Sequence, residues 1–173
     1  MRRAHDAYYS PAWSVDTLLQ AVAIDRACRV LEPCSGTGQI SRRLAALGFA
    51  EVATNDLDPA APAQTHADYL AQPFQAQWII TNPPYAQAFP FLAKAMREST
   101  LGVALLLRLS FIEPTRQRGA WLSAHPPTAV LVLPRISFTG DGRSDTVTTA
   151  WFVWQHQATA QRIAIFPRAA RHE

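Results

Sequence analysis

Cysteine, lysine and glycine are all scarce in this chain. Two cysteines, Cys28 and Cys34, occur among 173 residues. That is too few for a disulfide framework, and they lack the CxxC spacing of a zinc pair, which fits a reducing compartment. Of the sixteen basic residues only Lys94 is a lysine. The rest are arginines, suited to bidentate phosphate contacts, although a GC-rich genome would give the same bias. Seven glycines are present and none forms the GxGxxG of a dinucleotide site. No apolar run reaches the ~18 residues of a membrane span, and Arg108 interrupts the longest. The initial MRRAHDAYY carries arginines with no apolar stretch behind them, so no secretory signal is expected. The five histidines are scattered without ligand spacing, so no metal is expected. These absences lead to the expectation of a soluble, cytoplasmic protein with no membrane partner.

What is present suits a folded globule. Apolar residues make up 49% of the chain and charged residues 17%, and the length fits one domain spanning residues 1–173. The charge is uneven. Residues 1–100 hold eight basic and nine acidic side chains, whereas residues 101–173 hold eight and four. A positive second half permits a polyanionic partner without requiring one.

Hydrophobic patterning sets the fold class. Ser14 is expected to cap a helix whose apolar face runs Val15, Leu18, Leu19 and Val22. Strand patterns occupy Arg29–Glu32, Val52–Thr54, Trp78–Thr81, Val103–Leu109, Ala129–Leu133 and Thr148–Trp154. A helix carrying Ile40, Leu44 and Leu47 stops at Gly48, and further helices are expected over 88–98 and 115–123. Alternating strands and helices predict an α/β, doubly wound, seven-stranded and mostly parallel sheet. The last two strands, with no helix between them, are expected to form an antiparallel edge hairpin. Trp151 and Trp154 on the last of them read as core.

In such a sheet ligands sit beyond the carboxyl ends of the strands, and those ends carry the suggestive residues. The first strand runs into Glu32-Pro-Cys34-Ser-Gly36-Thr-Gly38. Its glycines allow a tight turn and close backbone approach ahead of a helix N-terminus. Glu32, four residues before Gly36, would repel a pyrophosphate but suit an ammonium group. A purely structural turn, with Cys34 as a small packed residue, is the alternative. Asp56, which closes the second strand, can accept from both ribose hydroxyls; a solvated turn through Asp56 and Asp58 is the plainer reading. Asp68 can accept from an adenine amino group or simply sit on the surface. Asn82-Pro83-Pro84-Tyr85 is the most specific signal, with chance odds on the order of one in a thousand. The Asn82 amide oxygen and the Pro83 carbonyl are both acceptors and suit an NH2 donor, while Tyr85 offers a flat face for stacking.

Together these residues resemble the class I S-adenosylmethionine-dependent methyltransferases, specifically the amino-methyltransferases with an Asn-Pro-Pro-aromatic motif. LEPCSGTG is similar to their cofactor loop, NDLDP to their ribose acid and ADYL to their adenine acid. YYSPAW resembles the segment preceding the first helix in N6-adenine DNA methyltransferases. The downstream LLLRLSFIE, LPRISFTGDGRSDT and AWFVW resemble small phage and prophage methyltransferase-like proteins. The resemblance implies a Rossmann-like methyltransferase fold with S-adenosylmethionine as cofactor. It implies cofactor contacts from Tyr9, Ser10, Pro11, Glu32, Cys34, Gly36, Gly38, Asp56, Leu57, Asp68, Tyr69 and Asn82. It also implies catalysis at Asn82, Pro83, Pro84 and Tyr85 on an adenine of DNA, flipped out or single-stranded. Adenine in RNA and a protein glutamine amide are alternative acceptors, and a weakly catalytic partner subunit is another reading. Only 88 residues follow Tyr85, and the remaining strands use most of them, so no separate target-recognition domain is expected. Little sequence preference, a recognition subunit or a homodimer would follow. Arg135 and Arg143, flanking and within the loop 139–147, are candidates for backbone contact with nucleic acid; a flexible hairpin connection is the other reading of that loop.

Overall fold

The computed structural model describes residues 10–116, 118–136 and 147–167. Seven strands form one sheet: β1 (Arg29–Glu32), β2 (Glu51–Thr54), β3 (Ala76–Thr81), β4 (Ser99–Arg108), β5 (Ala129–Val132), β6 (Thr149–Gln155) and β7 (Arg162–Ile165), in the order β2-β1-β3-β4-β6-β5-β7. β1 pairs in parallel with β2 and β3, β3 with β4, and β5 with β7. β6 alone runs the other way, antiparallel to both β4 and β5. The expected doubly wound sheet is therefore present, and the late antiparallel pair stands toward one edge.

Helices α1 (Ala12–Ala21) and α2 (Gln39–Ala46) cover one face, with Val15, Leu18, Ile40 and Leu44 buried against Val30, Trp78, Ile80, Ala104 and Leu106. On the other face, α3 (Ala88–Glu98) sets Phe91, Leu92 and Ala95 on Ile79, Val103, Leu105 and Phe152, and α4 (Gly119–Ala124) adds Trp121 and Leu122. Alternate residues of β4 serve opposite cores, so the strand is apolar throughout. Each fully buried leucine or isoleucine contributes roughly 1.5–3 kcal/mol. Trp151 and Trp154 are core residues, as expected; the Trp151 indole donates to the Ser14 carbonyl at 2.7 Å and ties α1 to the sheet. Among the described residues no helix is long and apolar enough to cross a membrane.

The structure corrects some of these expectations and adds to others. α1 begins at Ala12 with Pro11 at the cap position, so Ser14 lies inside the helix and its hydroxyl donates back to the Pro11 carbonyl at 2.8 Å. β4 begins four residues earlier than its apolar run, with Ser99 paired to Ala76 of β3, and Gly102 admits the Trp78 ring: a Cβ there would lie 2.7 Å from the indole. The expected helix over 115–123 is confined to α4, behind a turn in which Gly119 N–H donates to the Thr115 carbonyl. No helix joins β2 to β3. Residues 55–75 cross as a loop, held by one bridge between Asn55 and Thr65, with prolines at 59, 62 and 73. Loops of this length are usually functional. β7 was not expected; its Ile163 and Ile165 point outward, 71% and 77% exposed.

Candidate active site

The strand order reverses beside β1: the chain moves from β1 outward to β2, then returns to place β3 on the other side. Ligands bind at the carboxyl ends flanking such a switch point. There the turn after β1 and the Asn82-Pro83-Pro84-Tyr85 corner after β3 stand side by side, joined by a 3.5 Å hydrogen bond from the Thr81 hydroxyl to the Cys34 carbonyl.

The glycine turn has the conformation its sequence requires. Gly36 and Gly38 take φ of 50° and 75°, left-handed values that favour glycine. A Cβ on Gly36 would meet nothing within 4 Å, so the turn faces open space on that side. Asp56 closes the turn from the neighbouring strand, one carboxylate oxygen accepting from Gly36 N–H at 2.7 Å and the other from Asp58 N–H at 2.9 Å. Each oxygen keeps a further lone pair for a ligand hydroxyl. Asn55 is fully buried and fastens three segments: its amide nitrogen donates to the carbonyls of Pro33 and Ala67, and its oxygen accepts from Ala67 N–H and the Thr65 hydroxyl. Sequence reasoning passed over Asn55, although it is the first letter of NDLDP.

Burial raises the Cys34 thiol well above its ordinary value, and the charges of Asp56, Glu32 and Asp68 push it further up. Three carboxylates, one at the end of β1 and two in the loop that follows β2, thus act on the same thiol. Glu32 is itself buried, with its carboxylate accepting from Ser41 N–H in the first turn of α2 at 2.9 Å. Burial raises its pKa to about 8, against the lowering effect of the Ser41 hydrogen bonds. Asp68 is exposed and accepts from Leu70 N–H, while Leu57 is 63% exposed beside Asp56. The Tyr69 ring turns away into the core against Phe74 and Phe91, with the Lys94 ammonium over it. The expected cofactor contact from Tyr69 is therefore not one its ring is turned to make.

At the second corner, Asn82 Nδ2 donates to the hydroxyl of buried Ser10 at 2.9 Å. With the nitrogen fixed, Asn82 Oδ1 is left buried without a hydrogen-bond partner. An unpaired buried carbonyl of this kind costs roughly 1–3 kcal/mol, and such an acceptor awaits a donor. Pro83 is buried and Pro84 leads into a short 3-10 turn at Tyr85–Gln87. The Arg108 guanidinium lies over the Tyr85 ring, 5.0 Å from its centroid. Ser35, inside the glycine turn, also has a buried hydroxyl without a partner. Orphaned polar atoms thus mark the rim on both sides of the switch point. Neither Ser35 nor Arg108 was among the expected site residues.

Pro11 sits at the start of α1 next to Ser10, and Arg135 is exposed just past β5 on the same rim. Tyr9 and Arg143 lie outside the described residues. At the opposite end of the sheet a groove of about 450 Å³ lies among Arg29, Phe74, Gln77, Arg97 and Glu98. It opens beyond the amino ends of the strands, where this fold does not bind its ligands.

The fold is one found in solved methyltransferase structures. No family model and no curated protein matches the sequence, whereas solved structures match the fold. A proposed RNA methyltransferase from Pyrococcus horikoshii superposes with a TM-score of 0.68 at 20% identity, over 86% of this chain and 85% of that one. The methyltransferase subunit of a type I restriction-modification system from Streptococcus thermophilus gives 0.71 at 15% identity, over 95% of this chain and 48% of that one. A proposed class I S-adenosylmethionine-dependent methyltransferase from Listeria monocytogenes gives 0.65 at 11% identity, over 95% and 66%. The chain therefore spans most of the Pyrococcus protein and about half of the Streptococcus subunit.

Proposed function

We propose that this chain is an S-adenosylmethionine-dependent methyltransferase acting on the exocyclic N6 amine of adenine in DNA. The observation that carries the proposal is Asn82 Oδ1, a buried acceptor without a donor at the corner where the sheet places its ligands. A planar NH2 supplies the missing donor.

The residues present fit the cofactor. Asp56 would accept from the ribose hydroxyls, Asp68 from the adenine amino group, and exposed Leu57 offers apolar surface to a flat ring. The open Gly36–Gly38 backbone, the Ser35 hydroxyl and Glu32 would hold the methionine portion. Bound there, S-adenosylmethionine supplies a methyl group made electrophilic by its sulfonium. Tyr85 stacks the target base. Asn82 Oδ1 and the Pro83 carbonyl would accept hydrogen bonds from the two amine N–H groups, which localises the nitrogen lone pair. Held there, the amine would present that pair to the methyl group the cofactor supplies. The cationic product then sheds a proton to water. Positioning and electrostatics supply the rate, with no covalent link to the protein.

Charge along the rim supports a nucleic-acid acceptor. At and beyond the ends of β1 and β2 stand Glu32, Asp56, Asp58 and Asp68; at and beyond the ends of β4 and β5 stand Arg108, Arg116, Arg118 and Arg135, with Glu113 as the one acid on that side among the described residues. The chain is read as a single catalytic unit whose target selection is weak or comes from a partner subunit or second copy. The match along most of the Pyrococcus protein favours RNA adenine as the second reading.

The test is transfer of labelled methyl to unmethylated DNA, RNA and a glutamine-bearing protein, with wild type beside Asn82→Ala. N6-Methyladenine in digested DNA is expected, falling about a hundredfold or more in the variant. Label in RNA alone moves the acceptor. Bound cofactor with no transfer to any acceptor, and Asn82→Ala equal to wild type, refutes catalysis.

A further inference from the structure

Arg108 is the last residue of β4, one strand over from the Asn82 corner, and its guanidinium occupies one face of Tyr85. Arg108 Nε is buried without a hydrogen-bond partner, and among the described residues no carboxylate pairs with this side chain. A partly buried guanidinium with unused donors is costly unless an anion meets it.

Among the described residues Arg29, Arg43 and Lys94 each pair with a carboxylate, Glu51, Asp16 and Glu98 respectively, whereas Arg26, Arg42, Arg97 and Arg162 have no ion pair. Arg108, Arg116, Arg118 and Arg135 all stand at or past the carboxyl ends of β4 and β5, and among the described residues none of them has an acidic partner. Arg118 instead donates to the Glu113 carbonyl and lies over Phe111. One such arginine suits a single carboxylate; several on one half of a rim suit a chain of charges. Arginine presents a planar fork to phosphate and stacks on aromatic faces, and Arg108 is placed for both.

We propose that Arg108 binds a backbone phosphate flanking the target base, so that one side chain both backs Tyr85 and sets the acceptor's register against Asn82. This rests on the nucleic-acid reading above and names the residue that selects a polynucleotide over an uncharged amide. Arg108 is here a specificity residue for substrate binding.

The test reads binding, so it does not require turnover. A fluorescein-labelled single-stranded oligodeoxynucleotide with one adenine is titrated by anisotropy into wild type, Arg108→Gln and Arg108→Lys over a range of salt. A second oligonucleotide carries neutral methylphosphonates on both sides of the adenine. Arg108→Gln is expected to weaken binding about tenfold or more, as loss of a charged hydrogen bond does. It should also lower the slope of log K against log salt by about one. The neutral oligonucleotide should weaken wild type by a similar factor and leave Arg108→Gln little changed, since the two removals share one contact. Arg108→Lys should recover part of the affinity. If Arg108→Gln fails to fold, the neutral oligonucleotide on wild type and Arg108→Lys decide the matter. Equal affinity and equal salt slope for wild type and Arg108→Gln overturn the proposal, as do losses that simply multiply. Tight binding by wild type without methylation of any acceptor sinks the catalytic reading and leaves Arg108's role standing.

Discussion

Replacing Glu32 with glutamine should remove a pH dependence of stability that wild type carries between about pH 4.5 and pH 8. In the folded chain burial raises this carboxyl from 4.5 to about 8, even with Ser41 N–H bonded to it. Between those values the unfolded chain has released the proton and the folded chain still holds it. The folded state binds more protons, so stability falls as pH rises through this window. Below the unfolded value the contribution is fully present; above about 8 it is gone. At 1.36 kcal/mol per unit the whole window amounts to about 5 kcal/mol, an upper bound because local rearrangement or water entry relieves a buried charge. The side-chain amide of Glu32→Gln keeps a carbonyl for Ser41 and never ionises. Urea unfolding at intervals from about pH 5 to about pH 9 should give a wild-type curve that declines relative to the variant, with the two nearest at the acid end. The same carboxyl gives a second readout. An ammonium-bearing cofactor settling near it should draw its pKa down and release up to about one proton near neutral pH. Calorimetry in buffers of different ionisation enthalpy measures that proton, and Glu32→Gln should abolish it. Parallel stability curves, with equal proton release in both proteins, would refute the assignment of a buried, protonated Glu32.

Two further substitutions probe how the site is held. Ser10→Ala should free the Asn82 amide and lower kcat about tenfold, the loss of roughly 1.4 kcal/mol of orientation, with cofactor affinity unchanged and partial rescue by Ser10→Thr; an unchanged kcat, or a loss wholly in KM, contradicts the positioning role. Gly102→Ala would set a methyl 2.7 Å from the Trp78 ring and 2.8 Å from the Trp154 carbonyl. It should lower stability by about 1–3 kcal/mol in denaturant titration; a change under about 0.5 kcal/mol argues against close packing there.

The parts of this molecule written in short-range pattern were legible before any coordinates. β1, α2 with its Gly48 stop, α3 and the strand leading into Asn82 all lie where periodicity and turn chemistry put them. Glu32 and Asp56 stand at the ends of two neighbouring parallel strands, as the pattern placed them, whereas Asp68 is carried by the long loop after β2. What escaped depends on partners far along the chain. Ser10 and Asn82 are 72 residues apart, and nothing local to either announces their bond. Asn55 reads as a turn residue until the three segments it fastens are brought together. β7 hid because an edge strand with Ile163 and Ile165 in solvent lacks the buried alternation that marks a half-covered strand. Arg108 ended a hydrophobic run and read as an interruption. Its meaning comes from the tyrosine beneath it.

The hydrogen bond from Asn82 to Ser10 means that the acceptor corner is armed from outside the sheet. Ser10, the residue before the Pro11 cap, reaches the corner through its hydroxyl, while α1 behind it is moored by the Trp151 indole at Ser14. Loss of that one hydroxyl would leave both hydrophobic layers whole and the glycine turn intact, yet the amide would swivel free. Ser10 is thus a catch on Asn82: the fold stands without it, and the orientation of the amide does not.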